Sequence, residues 1–268
     1  MVDLEKVIPL SPGGTAAPLF CVHASSGSAY TYFELAQLLG ADQPVYGIEA
    51  PGFDDDAQPV RSVAALSAEY ARALREFRPE GDFVLLGWSV GGKIAFDLAQ
   101  RLSAAGVRVP QLIMIDVNEP EVLKLPQERE TARRFLQEIL ATMGASPDEL
   151  EQVMATRADE DTSEQIFQAA KSAGVLPPEL EIDLLAKRYA VFRALVEASL
   201  RYEVIEPYEG PVTHLIASES LQRGKMRWKM LATNLTEHIV PGSHHSIWTG
   251  DRLRLLAELT RAVLASTQ

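Results

Sequence analysis

A serine set between glycines near the middle of the chain has the strongest potential for chemistry. Residues 87–92 read Gly-Trp-Ser-Val-Gly-Gly and connect a continuous apolar run to a helical pattern. A Gly-x-Ser-x-Gly sequence in that context is typical of a nucleophile elbow, where a tight turn needs small flanking residues and leaves the serine hydroxyl exposed. The free N–H groups of the following helix then face developing negative charge. We therefore predict that Ser89 is a catalytic nucleophile.

A histidine near the end of the chain is the best candidate for the general base that a serine hydroxyl needs. His244 lies just past the last predicted strand, in a loop that reaches the same sheet edge as the serine. The adjacent His245 has the same reach, so position alone does not separate the two. His214 and His238 lie within strand patterns and are predicted to be structural. His23 ends a strand and is predicted to shape the loop 23–27 that begins with it, hereafter the oxyanion loop.

An acidic residue must orient the imidazole and stabilise its charged form. Asp116 lies at the end of the predicted strand 111–117, and the segment from Ser89 to Asp116 is one helix, one turn and one strand. A right-handed crossover of this length returns to the same sheet edge, so both residues should end neighbouring strands. Glu219, after the next strand, is the competing acid, and either acid satisfies the chain order serine, acid, histidine. A third interpretation makes Asp116 the cap of the following turn.

Two backbone N–H groups are needed to stabilise the oxyanion of an acyl-transfer reaction. Val90 directly follows Ser89 and is the first predicted donor. The second is expected from the loop 23–27, where Ser25 is our choice and Ala24 is the alternative. Together with the three side chains above, these donors would complete the machinery of a serine-dependent acyl transfer.

Short apolar runs alternate with helical patterns along most of the chain, which indicates a mostly parallel sheet with helices on both faces. The predicted strands are 18–23, 44–48, 83–88, 111–117, 212–217 and 237–240. The predicted helices of this framework are 28–40, 60–77, 91–102 and 251–264. We therefore assign residues 1–268 to a single α/β domain.

The alternation stops at about 119–202, where no convincing strand is found. Helices are predicted from near 127, at 163–173 and at 180–202, with Gly144 as a helix stop and residues 146–149 as a capping box. A simple crossover needs about a dozen residues, and longer insertions are usually functional. Because it begins just after the strand that carries Asp116, we predict that this helical insertion is a lid over the active site. Four apolar residues are candidates for lining the pocket: Phe135, Met143, Phe167 and Phe192.

Composition limits the expected partners and compartment. The formal net charge of −12 argues against nucleic acid, which needs a basic face, and against an anionic membrane surface. The first residues lack the basic start and apolar run of a secretory signal. The single cysteine, Cys21, can form no internal disulfide, and no apolar segment reaches transmembrane length. We expect a soluble, cytoplasmic protein that binds neither nucleic acid nor membrane.

These residues resemble those of a known family, the type I thioesterase domains that end nonribosomal peptide and polyketide synthases and have the α/β-hydrolase fold. The resemblance is carried by IPL at 8–10, PLFCVH at 18–23, GWSVGG at 87–92 and IAF at 94–96. It covers nearly the whole chain and is weakest in the insertion. The implied fold is a mostly parallel central sheet flanked by helices, with a helical lid.

The resemblance also bears on the open choices. In this family the acid follows the strand after the elbow helix, and the histidine lies in a Gly-x-His segment near the end. These patterns favour Asp116 as the acid and His244 as the base. Two departures touch the oxyanion loop: Ala24 stands where the family commonly has proline, and residues 26–27 read Ser-Gly in place of paired glycines.

Membership of this family would imply a substrate carried as a thioester on the phosphopantetheine arm of an acyl or peptidyl carrier protein. Ser89 would form an acyl-enzyme, which water would hydrolyse or an internal nucleophile would convert to a macrocycle, without any metal or organic cofactor. An acidic surface would repel an acidic carrier, so docking would need a local patch. Arg223, Lys225 and Arg227 are candidates for it, and the favoured alternative is that they belong to a solvated charged loop. Two alternatives are a carboxylesterase or lipase acting on free esters and a catalytically silent binding domain on the same fold.

Overall fold

The computed structural model describes residues 6–119, 123–143, 148–204, 206–221 and 226–267. Its strands are β1 (Val7–Ser11), β2 (Leu19–Val22), β3 (Val45–Ile48), β4 (Val84–Trp88), β5 (Leu112–Ile115), β6 (Tyr208–Ala217) and β7 (Ala232–Val240). They form a seven-stranded sheet of order β1-β3-β2-β4-β5-β6-β7. The β1–β3 pair is antiparallel and the other pairs are parallel. The predicted class, a mostly parallel sheet flanked by helices, is confirmed.

Helices cover both faces of this sheet. They are α1 (Phe33–Leu39), α2 (Val63–Phe77), α3 (Val90–Ala104), α4 (Glu128–Thr142), α5 (Asp148–Ala155), α6 (Ser163–Ser172), α7 (Ile182–Leu200), α8 (Met226–Leu231) and α9 (Gly250–Ala265). Buried side chains of α2 and α3 belong to the core on one face, and those of α1 and α9 to the core on the other. In the described part of the chain, none of these helices combines the length and apolar character needed to cross a bilayer.

Strand β2 shows how the sheet divides the two cores. Successive strand residues point to opposite faces, so Phe20 and Val22 join the core beneath α2 and α3, whereas Leu19 and Cys21 join the core beneath α1 and α9. All four side chains are fully buried. Burial on both faces explains why this strand is a continuous apolar run in the sequence.

Helices α4–α7, hereafter the insertion, connect β5 to β6, and none of the described residues between them lies in a strand. The insertion has its own core, formed by residues between Ala132 and Phe192. Phe135 lies at its centre, with ring centroids 5.5–5.6 Å from those of Phe167, Tyr189 and Phe192. The helical content expected of this segment is therefore present. Gly144 and residues 146–147, predicted as a helix stop and part of a cap, lie outside the described residues.

Four elements differ from the sequence-based expectation. β1 and α8 were not predicted, and β6 and β7 begin at Tyr208 and Ala232, ahead of the predicted 212 and 237. β1 and β7 are the two edges of the sheet. β1 contains Pro9, which weakens a strand pattern, and the residues of β7 between its two buried ends are exposed or half-buried. Edge strands therefore lack the apolar runs that reveal the central strands.

Candidate active site

The turn between β4 and α3 holds Ser89 in an unusual backbone conformation. Its φ is 57° and its ψ is −125°, values that non-glycine residues seldom adopt. The Ser89 N–H donates to Ile115 O of the neighbouring strand at 3.1 Å, which fixes the turn. A Cβ added to Gly87 would lie 2.2 Å from Gly91 O, and one added to Gly91 would lie 2.4 Å from His23 O. The small flanking residues are therefore required by the close approach of strand and helix.

Asp116 and His244 meet at the same sheet edge, although 128 positions separate them. His244 Nδ1 lies 2.7 Å from Asp116 Oδ2. The carboxylate is only an acceptor, so Nδ1 carries the proton and Nε2 is left to accept one. The His244 ring also packs on Trp88, with centroids 4.9 Å apart. This arrangement fixes both the tautomer and the orientation of the imidazole.

The Asp116 carboxylate is buried and heavily hydrogen bonded. Besides His244, it accepts the Ala217 N–H on Oδ1 at 3.0 Å and the Ser220 hydroxyl on Oδ2 at 2.8 Å. Burial raises the pKa of Asp116, but the hydrogen bond and charge of His244 and the bonds from Ser220 and Ala217 outweigh it, so the pKa is lowered. Asp116 therefore stays ionised at neutral pH and can accept the His244 Nδ1–H.

The competing residues have different surroundings. Glu219 is exposed, and its backbone N–H donates to Gly242 O at 3.0 Å. His245 packs edge-on against Trp88 at 5.7 Å, and loss of hydration together with the nearby charge of His244 lowers its pKa. It is therefore neutral at pH 7. The structure brings Asp116 together with His244 and leaves Glu219 outside this pair.

The remaining histidines contact backbone and side-chain groups around the site. His23 is fully buried between Ala24 O, 2.8 Å from Nδ1, and the Tyr70 hydroxyl, 2.6 Å from Nε2. Burial lowers the pKa of His23 to about 4, so it is neutral and holds the oxyanion loop through Nδ1–H. His214 Nε2 accepts the Val117 N–H at 3.1 Å, next to the catalytic acid candidate. His238 is half-buried within β7.

The two predicted oxyanion donors border the same cavity as Ser89. Val90 is the first residue of α3, so its N–H has no acceptor within that helix. Ser25 is buried in the loop after β2, and its hydroxyl donates to Glu138 Oε1 of α4 at 2.9 Å. The insertion thus contacts the oxyanion loop directly.

Two cavities adjoin the site. The smaller, of about 230 Å³, is bordered by Ser25 and Ser89, and the larger, of about 730 Å³, extends beneath the insertion. Glu138 and His245 border both, so they lie where the cavities adjoin. The larger cavity has aromatic walls that include Phe53, Trp88, Phe135 and Trp248. This space can hold an extended, largely apolar chain next to the serine.

The four predicted pocket residues have different positions. Phe135 borders the larger cavity and Phe192 the smaller one. Phe167 is fully buried in the core of the insertion, and Met143 is exposed at the end of α4, so neither prediction of pocket lining is supported. Of the predicted docking patch, Arg223 and Lys225 lie outside the described residues, as does the side chain of Arg227.

Sequence reasoning missed three contributors to the site. Ala217 and Ser220 support Asp116, and Glu138 reaches the oxyanion loop, yet each lies about 100 positions from its partner. A local signal exists only for Glu138, which follows Phe135 by three positions and so lies beside the apolar stripe of its helix.

Comparison with known proteins places the chain among related sequences and folds. The thioesterase domain family model matches residues 17–265. A dimodular nonribosomal peptide synthase of Bacillus subtilis (strain 168) is 33% identical over 147 residues, covering 55% of this chain and 6% of that protein. The chain spans 2–7% of the length of five curated relatives that it matches.

Two solved structures share the fold. A four-domain nonribosomal peptide synthetase bound to AMP and glycine matches with a TM-score of 0.78 at 24% identity, covering 95% of this chain and 20% of that one. The NocB thioesterase domain, in a covalent complex with a fluorophosphonate nocardicin G analogue, matches with a TM-score of 0.68 at 24% identity. That match covers 96% of this chain and 99% of the NocB domain.

Proposed function

The chain belongs to the thioesterase domain family, and we propose that it releases an acyl, peptidyl or polyketide chain from the phosphopantetheine thioester of a carrier protein. Ser89 is the nucleophile, His244 the general base, and Asp116 the acid that orients it. The backbone N–H groups of Val90 and Ser25 form the oxyanion hole. The relatives named nonribosomal peptide synthases, of which the chain spans a small share, support a carrier protein as the donor.

One observation carries the assignment of the residues. The buried Asp116 carboxylate holds His244 Nδ1 at 2.7 Å, at the sheet edge where the Ser89 turn is held by a bond to Ile115. A histidine oriented in this way presents Nε2 as a base. A base held by an acidic residue is the arrangement that activates a serine hydroxyl.

Acylation follows from this geometry. Ser89 Oγ attacks the thioester carbonyl carbon while its proton passes to His244 Nε2, and the resulting imidazolium is stabilised by Asp116. The oxyanion accepts hydrogen bonds from Val90 and Ser25. The C–S bond then breaks, His244 returns the proton to the departing pantetheine sulfur, and an ester of Ser89 remains.

Deacylation reverses the roles of the same groups. His244 Nε2 takes a proton from the second nucleophile as it attacks the Ser89 ester, and the proton then passes to Ser89 Oγ as the C–O bond breaks. Water as the nucleophile gives an acid, whereas a hydroxyl or amine of the bound chain gives a macrocycle. Neither step needs a metal or an organic cofactor.

Intact-protein mass spectrometry tests the proposal directly. The chain is mixed with a panel of acyl-pantetheine thioesters and with the same acyl groups on a carrier protein, beside the Ser89→Ala variant. We expect an acyl adduct or released acid only when Ser89 is present, and faster turnover of the carrier-bound substrates.

The outcomes separate the alternatives. Turnover retained by a folded Ser89→Ala variant would refute the nucleophile assignment. Equal or faster turnover of simple esters would instead indicate an esterase. If the wild type turns over neither thioesters nor esters and a serine-reactive fluorophosphonate does not label it, the domain is a binding module without activity.

A further inference from the structure

Glu138 is a carboxylate of the insertion that the proposed reaction does not use. It lies on α4, is half-buried, and accepts the Ser25 hydroxyl at 2.9 Å. It borders both the cavity that contains Ser89 and the larger aromatic cavity. An acid in this position faces any chain attached to the serine.

The cationic groups around Glu138 are bound elsewhere. Arg134, which borders the smaller cavity, binds Glu130 at 2.9 Å. Arg188, which borders the larger cavity, binds Asp54 at 2.6 Å and lies 3.4 Å from the centroid of the Phe53 ring.

The other titratable groups near Glu138 do not form an ion pair with its carboxylate either. His244 Nδ1 donates to Asp116 at 2.7 Å, so the bonded partner of this ring is another carboxylate. His245 is neutral at pH 7 because its pKa is lowered. Glu34, at the exposed rim of the larger cavity, is itself acidic. Among the described residues, the Glu138 carboxylate therefore has a single hydrogen-bond partner, the neutral hydroxyl of Ser25.

We infer that Glu138 is a specificity-determining residue that binds a cationic nitrogen on the acyl or peptidyl chain. The inference rests on the proposed function, since it places the chain in these cavities. A carboxylate beside apolar walls is costly to ionise unless a cation accompanies it, and an ammonium group of the substrate would provide that partner with a charge-assisted hydrogen bond. The substrate class is thus an amine-bearing acyl chain.

The pH dependence follows from the same surroundings. Loss of hydration raises the pKa of Glu138 to about 7, against the smaller opposing effects of the Ser25 bond and the His244 charge. An ammonium group binds the ionised form, so preference for an amine-bearing chain should weaken as the pH falls below 7. Taking the ratio of kcat/KM for an amine-bearing chain and its neutral isostere removes the titration of the catalytic groups, which both substrates share.

The experiment compares matched pairs of pantetheine thioesters: 6-aminohexanoyl with heptanoyl, and 8-aminooctanoyl with nonanoyl. The test variant is Glu138→Gln, because its amide oxygen can still accept the Ser25 hydroxyl. The control is Glu164→Gln, which removes a negative charge from helix α6 of the insertion at an exposed residue that borders neither cavity. Uncatalysed cyclisation of the amino thioesters is subtracted with an enzyme-free sample.

For the wild type at pH 8, we expect kcat/KM for at least one amine-bearing chain to exceed that of its neutral partner by about tenfold. This preference corresponds to about one charge-assisted hydrogen bond. The preference should fall about fivefold by pH 6, to roughly twofold, as protonation of Glu138 removes most of its charge. Glu138→Gln should abolish both the preference and its pH dependence, whereas Glu164→Gln should keep both.

Loss of activity toward both chains in Glu138→Gln would overturn the inference and assign Glu138 a structural role. Turnover of the neutral chains without any amine preference in the wild type would also overturn it and leave the proposed function intact. If the wild type turns over neither chain of either pair, and carrier-bound acyl groups also fail, the proposed function falls and this inference falls with it.

Discussion

Ser89 and Asp116 share a property that sets them apart from the other non-glycine residues in the described part of the chain. Both have positive φ, 57° and 43°, and each lies directly after a parallel strand. Such conformations cost about 1–3 kcal/mol each and persist where surrounding contacts enforce them. For Ser89 the contact is Ile115 O, and for Asp116 it is Leu215 O, 2.7 Å from its N–H. The neighbouring strand thus fixes each of the two proposed catalytic residues.

The choice of acid is testable by matched amide substitutions. Asp116→Asn should lower kcat by roughly 10³–10⁴-fold, because an amide cannot hold His244 in the required tautomer. Glu219→Gln should change kcat by less than about twofold, since this side chain is exposed. Steady-state kinetics on one acyl-pantetheine substrate gives the comparison. The reverse ranking would move the acid to Glu219.

The two neighbouring histidines can be separated in the same assay. His244→Gln should abolish measurable acylation, because the base is lost. His245→Phe should keep acylation within about tenfold, since a ring at this position can still pack on Trp88 and no proton transfer depends on it. Burst-phase kinetics measures the acylation rate. Loss of the burst in His245→Phe alone would exchange the two roles.

Glu138 also predicts how stability depends on pH. Its folded-state pKa, raised to about 7 from 4.5, means that the folded protein favours the protonated acid. This residue's contribution is therefore most favourable below pH 4.5 and is lost as the pH rises through 7. Glu138→Gln should stabilise the protein by about 1 kcal/mol at pH 8, after allowance for partial exposure, and by nothing at pH 4.5. Denaturant unfolding of both proteins at the two pH values checks this, and an equal difference at both would contradict the shift.

A single site residue can be predicted from the sequence when the residues that identify it are its neighbours in the chain. Ser89 is recognisable because its glycines are adjacent, and Asp116 because it ends an apolar strand. Ser220 gave no such signal, since its bond to Asp116 exists only after β5 and β6 pair. For Glu138 the local signal is partial: its place beside the apolar stripe of α4 is visible in the sequence, but its contact with Ser25 depends on where α4 packs.

At the scale of elements, the close packing of α3 against β2 sets the position of Val90. A Cβ at Gly91 would lie 2.4 Å from His23 O and 2.5 Å from Val22 O, both rigid backbone atoms. Gly91→Ala should therefore force the helix away from the strand and cost about 1–3 kcal/mol of stability. Activity should fall with it, because Val90 at the start of α3 would shift.

Gly13→Ala is the matched control, because the nearest atom to its added Cβ is Ala41 O at 3.7 Å. Thermal unfolding and kcat/KM of the two variants give the test. A Gly91→Ala protein as stable and active as the control would show that the helix can approach β2 less closely without harm.

Central elements were predictable from sequence and edges were not. The strands around β4 are buried on both faces, so their apolar runs mark them clearly. β7 lies at an edge and is mostly exposed or half-buried, so only its last residues resemble a strand. Helices with a single apolar face, such as α4 and α6, are intermediate. Their periodicity predicts that they form, but it does not predict which elements they pack against.

At the scale of the whole molecule, the net charge of −12 predicts how a carrier protein approaches. An acidic carrier is repelled over distances of roughly 20 Å in dilute buffer, and about 0.2 M salt shortens this range to less than 10 Å. Raising NaCl from about 20 to 200 mM should therefore increase kcat/KM for an acyl carrier several-fold and leave an uncharged acyl-pantetheine thioester unchanged. A fall with salt for the carrier alone would reveal a basic docking patch that outweighs the overall charge.

The separate core of the insertion has a consequence for how such enzymes diverge. Its cluster contains only residues between Ala132 and Phe192, whereas the residues around Asp116 and His244 are held by the sheet. Apart from the Glu138–Ser25 contact, mutations that reshape the binding space can therefore accumulate in the insertion while the hydrogen bonds of Asp116 and His244 stay intact. Selection for a new cargo and selection for intact chemistry would then act on different parts of one gene, so that exchange of the insertion between relatives becomes a short route to a new product.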